Sequence, residues 1–281
     1  MRDFYSSFYY ALRDYLHNWY RLLRLARIIR ACVILGPLRH VFVRYYKRFG
    51  DNKPIQTDKS DFFCHVDVEK LVHRINKVGY AKLGIIPEEY VTQILTYCEN
   101  NKQPEYWNPH YTCETVDRIA RNSSVVAIAR RYLGVEPILW LTRLRWSFAR
   151  SDNPAELPER KPGQYDFHDF HYDTHDFKSL TAFVYLTDVH PDSGPHVIIP
   201  GSHRKTTLRK LARISIKDDV AKKMYRNKVT MIRGKKGLVF LEDTSSYHKA
   251  SVCNKERRLL LSIDYVLRRK VPPERPLLHE L

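Results

Sequence analysis

The sequence predicts a mainly β domain with flanking helices, preceded by an N-terminal helical extension. Residues 237–241 and 259–266 are short apolar runs bounded by polar turn residues, the pattern of buried strands. Residues 138–149 read as a longer strand running into a Pro-rich loop at 152–163. Before residue 50 the apolar spacing changes to three and four, which is the helical period. A chain of 281 residues suits one elaborated domain, because β-barrels and sandwiches run past roughly 200 residues. The organisation expected is an extension over residues 1–50 and a β domain over 51–281.

In the extension, Leu22, Leu25, Ala26, Ile29, Cys32 and Val33 form an apolar stripe bordered by Arg21, Arg24, Arg27 and Arg30. Gly36 and Pro37 stop this helix. A second one, residues 38–49, sets Arg39, Arg44, Lys47 and Arg48 around Val41, Phe42, Tyr45 and Phe49. Phe4, Tyr5, Phe8, Tyr9, Tyr10, Tyr15, Trp19 and Tyr20 lie ahead of both. Aromatics and arginines on an amphipathic helix suit the headgroup level of an anionic membrane; packing of the apolar face on the β domain or in a dimer interface is the alternative.

Residues 51–64 are polar and read as a linker. A helix is expected over 66–77, a strand over 80–85, a helix over 87–98 opened by Pro87, and a helix over 124–133 stopped by Gly134. No internal repeat or low-complexity tract is present. Five widely spaced cysteines (Cys32, Cys64, Cys98, Cys113, Cys253) contain no CxxC, so neither a disulfide framework nor a zinc site is indicated and a reducing cytoplasm is expected. There is no cleavable signal pattern, and the longest uncharged apolar run, 31–38, is too short to span a bilayer.

The chemistry concentrates in FHDFHYDTHDFKSLTAFVYLTDVHPDSGPHVIIPGSH, residues 167–203. His171 and Asp173 form an HxD unit, and residues i and i+2 of an extended strand share a face. An imidazole and a carboxylate there supply two of the three ligands of a 2-His-1-carboxylate facial triad for Fe(II). His248 is the candidate third ligand. Ten residues later, Arg258 can pair bidentately with a carboxylate at the far end of the same pocket. His168 and His175 are expected at the pocket rim; His190, His196 and His203, near turn residues, are expected in packing or loop roles.

HxD followed by YLTDV, GPH, IPGSH, His248 and Arg258 resembles the phytanoyl-CoA dioxygenase family of Fe(II)/2-oxoglutarate oxygenases, over residues 79–266. The resemblance implies a double-stranded β-helix, or jelly roll, with His171, Asp173 and His248 as iron ligands and Arg258 on the 2-oxoglutarate carboxylate. Arg257 is the neighbouring alternative. Counting from Arg258 places Ser262 and Tyr265 where the family strand has similar residues. Thr181, with Phe183 and Tyr185, would line the 2-oxoglutarate pocket, although packing explains the two aromatics equally well, and O2 would complete the iron. No catalytic residue beyond the metal site is expected. Related halogenases lack the carboxylate ligand, so Asp173 points to hydroxylation.

Charge narrows the substrate. Residues 1–48 carry ten Lys or Arg against two Asp, and residues 203–236 carry thirteen against two. These segments hold +19 of a net +17, leaving about −2 for everything else, so the basicity is local. Arg204, Lys205, Arg209 and Lys210 follow the PGSH motif and would hold an anionic substrate near the iron; a solvated helical face explains the same charges. In both basic segments the chain resembles bacterial hydroxylases acting on the Kdo sugar of the lipopolysaccharide inner core. The expected partner is an anionic lipid or lipid-linked sugar, met peripherally on the cytoplasmic face of the inner membrane. A soluble hydroxylase of an acyl-CoA or small metabolite is the runner-up. A non-enzymatic binder of nucleic acid or anionic lipid is the third reading, though no nucleic-acid motif accompanies the charge.

Overall fold

From residue 138 onward the chain crosses repeatedly between two antiparallel sheets, which makes the fold a jelly roll. The computed structural model describes residues 25–50, 52–58, 62–150, 169–204, 206–226 and 228–268. The N-terminal aromatics Phe4 to Tyr20, with Arg21, Leu22 and Arg24, lie outside the described residues, as do the Pro-rich loop, His168 and Lys205.

The strands are β1 (Tyr80–Ile85), β2 (Glu105–Trp107), β3 (Ile138–Ser147), β4 (Phe170–His171), β5 (Ser179–Tyr185), β6 (His196–Ile198), β7 (Ser215–Ile216), β8 (Thr230–Ile232), β9 (Leu238–Glu242), β10 (His248–Ala250) and β11 (Arg258–Val266). Six form a larger sheet in the order β1-β9-β5-β11-β3-β2, and five a smaller one, β7-β4-β10-β6-β8.

Strand periodicity divides the larger sheet into two faces. Ala182 and Val184 of β5, Val239 and Leu241 of β9, and Leu259, Leu261, Ile263 and Tyr265 of β11 join the main core with the helices. The residues between them point to the barrel interior, where Phe183, Tyr185, Leu238 and Phe240 meet Ile198 and Ile232 of the smaller sheet. Burial on both faces is why β9 and β11 read as continuous apolar runs.

The helices covering the outer face are α3 (Val68–Val78), α4 (Glu88–Asn101), α5 (Glu114–Ala120) and α6 (Ser123–Leu133). The Asp67 carboxylate caps α3 at the Lys70 amide, and the Asn122 side chain caps α6 at Ser124 and Val125. Gly134 ends α6 in the left-handed conformation, φ 79°. Two short helices, α7 (Leu208–Leu211) and α8 (Asp218–Tyr225), lie within the second basic segment.

Residues 51–64 are not a free linker where described. The Asn52 amide donates to the carbonyls of Glu136 and Leu267, both at 2.8 Å. Arg118 holds Asp58 at 2.9 Å, and Phe63 enters the core. The extension also packs on the domain. Its first helix, α1, covers 25–35 of the described residues, and α2 spans Arg39–Phe49. Helix α1 buries Ala31, Ile34 and Leu35, not the expected stripe; Leu25, Ile29 and Val33 of that stripe are about half exposed, at 53, 55 and 48%. Burying Ile34 and Leu35 contributes roughly 1.5–3 kcal/mol each.

Candidate metal centre

His171, Asp173 and His248 each offer a ligand atom, and these atoms all lie within 4.8 Å of one another. Strand pairing brings them together. His171 ends β4 and is the cross-strand partner of His248, which opens β10. Just past β4, the Asp173 amide donates to the Thr244 carbonyl at 2.8 Å, four residues before His248. Between the two ligands Tyr172 points the other way, its hydroxyl donating to the Leu211 carbonyl at 3.1 Å. The expected i, i+2 geometry therefore holds.

Both imidazoles have their inner nitrogens engaged. His171 Nδ1 lies 3.1 Å from the Asp169 carbonyl and His248 Nδ1 3.0 Å from that of Ser246. A carbonyl fixes the tautomer with the proton on Nδ1, which frees Nε2 as a ligand. His248 Nε2 accordingly lies 3.6 Å from Asp173 Oδ2. Burial, then the neighbouring His248, lowers the His171 pKa to about 4. Burial alone would raise the Asp173 carboxyl, but His175, His248, His171 and Arg143 pull it well below the usual carboxylate range. A neutral His171 beside an ionised Asp173, with the Nε2 of His248 turned to the same point, is the donor set that a facial-triad Fe(II) site needs.

The two candidate arginines face different ways. Arg258 opens β11 on the interior face and is buried, whereas Arg257 points away, its guanidinium 5.7 Å from the Phe148 ring centre. Arg258 donates to the Gly194 carbonyl and, at 3.0 Å, to Ser147 Oγ. Gly194 has φ 69°, and a Cβ there would meet the Ser251 carbonyl oxygen at 2.7 Å, so the GPH motif needs its glycine. The Nε of Arg258 is buried and without a partner among the described residues. An orphaned buried polar group costs about 1–3 kcal/mol, so a bound carboxylate fits here. Thr181 is buried on the same face, its hydroxyl bonded to Asp264 at 2.5 Å.

Sequence reasoning missed two residues of this interior. His196, expected in a packing role, enters from β6, and Glu242 from β9; both are fully enclosed. Their Nε2 and Oε2 are 2.8 Å apart but out of line for a hydrogen bond. Burial, with Arg258 nearby, lowers His196 to about 3. Burial likewise raises Glu242 to about 8. A glutamate closing the apolar run GLVFL was the available signal.

The candidate substrate cations divide. Arg204 and Arg209 are exposed. Lys210 is not, which corrects the expectation: its ammonium donates to the Ser202 and Ser245 carbonyls at 2.8 and 2.7 Å and sits over the Tyr172 and Tyr247 rings. It braces the ligand loops from behind. His175 takes the rim position, its ring 5.1 Å from that of Trp140. Trp140 stands at the register shift of β3 against β11, where Leu139 pairs with Tyr265 and Leu141 with Asp264; such irregularities re-aim side chains near sites.

The site is tied to the extension. Arg30 donates to the Thr174 carbonyl at 3.2 Å, one residue after Asp173. Arg39 donates to the Phe177 carbonyl at 2.5 Å and lies 3.8 Å from Asp243. Asp243 also accepts from the Tyr132 hydroxyl and the Ser245 amide. Burial alone would raise its carboxyl, but Arg39, His203 and these donors lower it to about 2. A carboxyl depressed on folding gives stability that is complete above its unfolded value of about 3.9 and is lost as pH falls toward 2. The expected loss is on the order of 2 kcal/mol. Urea unfolding at pH 5 and pH 3 checks it; the Asp243→Asn variant should lack that share of the pH dependence.

The phytanoyl-CoA dioxygenase (PhyH) family profile matches residues 89–258. The chain is 25% identical to the ectoine dioxygenase of Halomonas elongata over 146 residues, 51% of this chain and 41% of that protein, so the match spans under half of the relative. Among solved structures, the iron-bound EctD of S. alaskensis aligns with a TM-score of 0.56 at 19% identity, covering 80% of this chain and 86% of that one. The iron-bound HygX of Streptomyces hygroscopicus aligns at 0.53 and 17%, covering 70 and 85%. At these identities the structural likeness establishes the fold.

Proposed function

The chain belongs to the phytanoyl-CoA dioxygenase family, and from that premise we propose that it is an Fe(II)/2-oxoglutarate-dependent hydroxylase of an anionic substrate at a membrane surface. The Kdo sugar of Kdo-lipid A is the candidate. His171, Asp173 and His248 would hold Fe(II), and Arg258 the distal carboxylate of 2-oxoglutarate. With O2, these groups supply oxidative decarboxylation to succinate and CO2 and insert one oxygen atom into an aliphatic C–H bond. The protein's part would be to hold the three ligand atoms within 4.8 Å of one another around the metal. Buried walls around Arg258 limit water.

The membrane part rests on one observation: of the thirteen large apolar side chains exposed among the described residues, eight fall within residues 25–49. Leu25, Ile29, Val33, Val41, Phe42, Tyr45 and Phe49 lie on helices α1 and α2, Leu38 lies between the two, and Arg44, Lys47 and Arg48 are exposed beside them. Apolar residues that insert at headgroup depth and cations that meet anionic lipid belong together on an interfacial helix. The Arg30 bond to Thr174 sets this face beside the ligand loop. No helix of the described residues is long and apolar enough to cross a membrane. Peripheral binding at the inner face of the inner membrane is therefore the mode proposed.

Two measurements test this. Co-sedimentation with anionic vesicles is expected to exceed that with zwitterionic ones and to weaken between about 0.1 and 1 M salt as charge is screened; binding indifferent to lipid charge and salt would count against the interface. Succinate formation from 2-oxoglutarate with Fe(II) is expected to rise with Kdo-lipid A in detergent micelles, with one oxygen added to the Kdo unit. The similarity to a protein named for ectoine, a small molecule, supports a soluble substrate as the second reading. Turnover unaffected by the lipid would favour it.

A further inference from the structure

Strand β4 ends at His171 and β5 begins at Ser179, so Asp173 stands on a loop, residues 172–178, and not on a strand. A ligand on a loop keeps its place only through what holds the loop. Part of that hold comes from the end of β11: the buried Asp176 carboxylate accepts from the Leu267 amide at 3.0 Å and from Arg268 Nε at 2.8 Å, and the Arg268 guanidinium lies 4.7 Å from the Phe177 ring centre. The rest comes from the extension. Arg30 of α1 donates to the Thr174 carbonyl, and Arg39, at the start of α2, to the Phe177 carbonyl. The Phe42 ring stacks on that of Phe177, 4.5 Å between centres with 13° between planes.

Arg39 also reaches the loop that leads from β9 to His248. Its Nη2 lies 3.8 Å from Asp243 Oδ2, and the same carboxylate accepts from the Ser245 amide at 2.9 Å. Between those two residues, the Thr244 carbonyl receives the Asp173 amide. One guanidinium therefore touches both the loop that carries Asp173 and the loop that ends at His248. Arg30, Arg39 and Phe42 all precede residues 89–258, the stretch that the family profile matches, so this hold is added to the oxygenase domain from outside that stretch.

Resting on the assignment of His171, Asp173 and His248 to the metal, we propose that the extension completes the metal centre: Arg30 and Arg39, with Phe42, are positioning residues that fix the Asp173 carboxylate against the two imidazoles. Three donors bind one ion well only while they converge on one point, and loops with few buried contacts open at low free-energy cost. Arg30 bonds the residue directly after the ligand, and Arg39 ties that loop to the one before His248. Both contacts resist the same motion, the separation of Asp173 from His248. Both are charge-assisted, the stronger class of hydrogen bond.

The test is calorimetric titration of Mn(II) into the full chain without 2-oxoglutarate or oxygen, with thermal unfolding of each variant alongside. Arg30→Met and Arg39→Met are expected to weaken Mn(II) binding by about 10–100-fold, the usual worth of a group that orients a metal ligand, in protein that remains folded at the titration temperature. Arg30→Lys, which still donates to one carbonyl, is expected to recover most of the loss. Ile94→Val truncates the core at α4 and is expected to lower Tm while leaving Mn(II) affinity unchanged; a role in packing alone would make the arginine variants behave like it. Where Arg39→Met fails to fold, Arg30→Met decides, because Arg30 is exposed. Wild-type Mn(II) affinity in Arg30→Met, or a loss that Arg30→Lys does not restore, would overturn the inference. Asp173→Ala separates it from the assignment beneath it. Lost Mn(II) binding there with none lost in the arginine variants removes this inference alone; Mn(II) binding that Asp173→Ala leaves intact removes the metal assignment as well.

Discussion

Asp173→Ala is expected to abolish succinate formation from 2-oxoglutarate, by at least about a thousandfold. Groups that merely orient a metal ligand are worth about 10–100-fold, and Asp173 is the only carboxylate of the triad. Its removal leaves two imidazoles whose rings are 4.5 Å apart, without the negative charge that draws a divalent cation to them. The variant should fold, because Asp173 is half-buried and its amide bond to the Thr244 carbonyl uses only backbone atoms. Metal content after reconstitution, with a near-native circular dichroism spectrum, separates a lost site from a lost fold. Turnover near the wild-type rate would mean that the triad is not the reaction centre.

The second large effect belongs to Arg258. Truncating one member of a buried, hydrogen-bonded charge pair costs about 2–5 kcal/mol, which is roughly 30-fold to several thousandfold in affinity. Arg258→Gln is therefore expected to raise KM for 2-oxoglutarate by about a hundredfold or more while substrate affinity changes little. The neighbouring Arg257→Gln serves as control. Its guanidinium lies over Phe148 at the surface, so kinetics like the wild type are expected. A change of equal size in both variants would show general basicity at work instead of one guanidinium in one register.

Strand alternation says only that Arg257 and Arg258 face opposite ways; the choice of Arg258 rests on the register that the family resemblance implies, with Ser262 and Tyr265 at matching positions. The shared face of the HxD unit was readable from alternation itself. The caps of α3 and α6 follow local chemistry, and Tyr80–Ile85 appears as the strand that its residues imply. Other features depend on partners remote in sequence. His196 and Glu242 meet only because β6 and β9 belong to opposed sheets, and neither residue's neighbours announce it. Lys210 looks like a surface cation in a basic run; two carbonyls and two aromatic rings, supplied from elsewhere, make its burial tolerable. On α1 the apolar stripe was visible, but which side meets the domain was not. The contact goes through Ala31, Ile34 and Leu35, one step around the helix from the more conspicuous stripe.

The two faces of β11 carry different burdens. Leu259, Leu261 and Ile263 hold the sheet to its helices, while Arg258, Ser262 and Asp264, alternating with them, face the barrel interior, where the proposed cosubstrate would lie. One backbone therefore carries two nearly independent sets of instructions, interleaved letter by letter. Adaptation to a warmer or colder cell can proceed through the first set without disturbing cosubstrate recognition. A shift to a different 2-oxo acid can proceed through the second without loosening the fold. Only an insertion or deletion within the strand couples them, because it exchanges the two sets and destroys both at once.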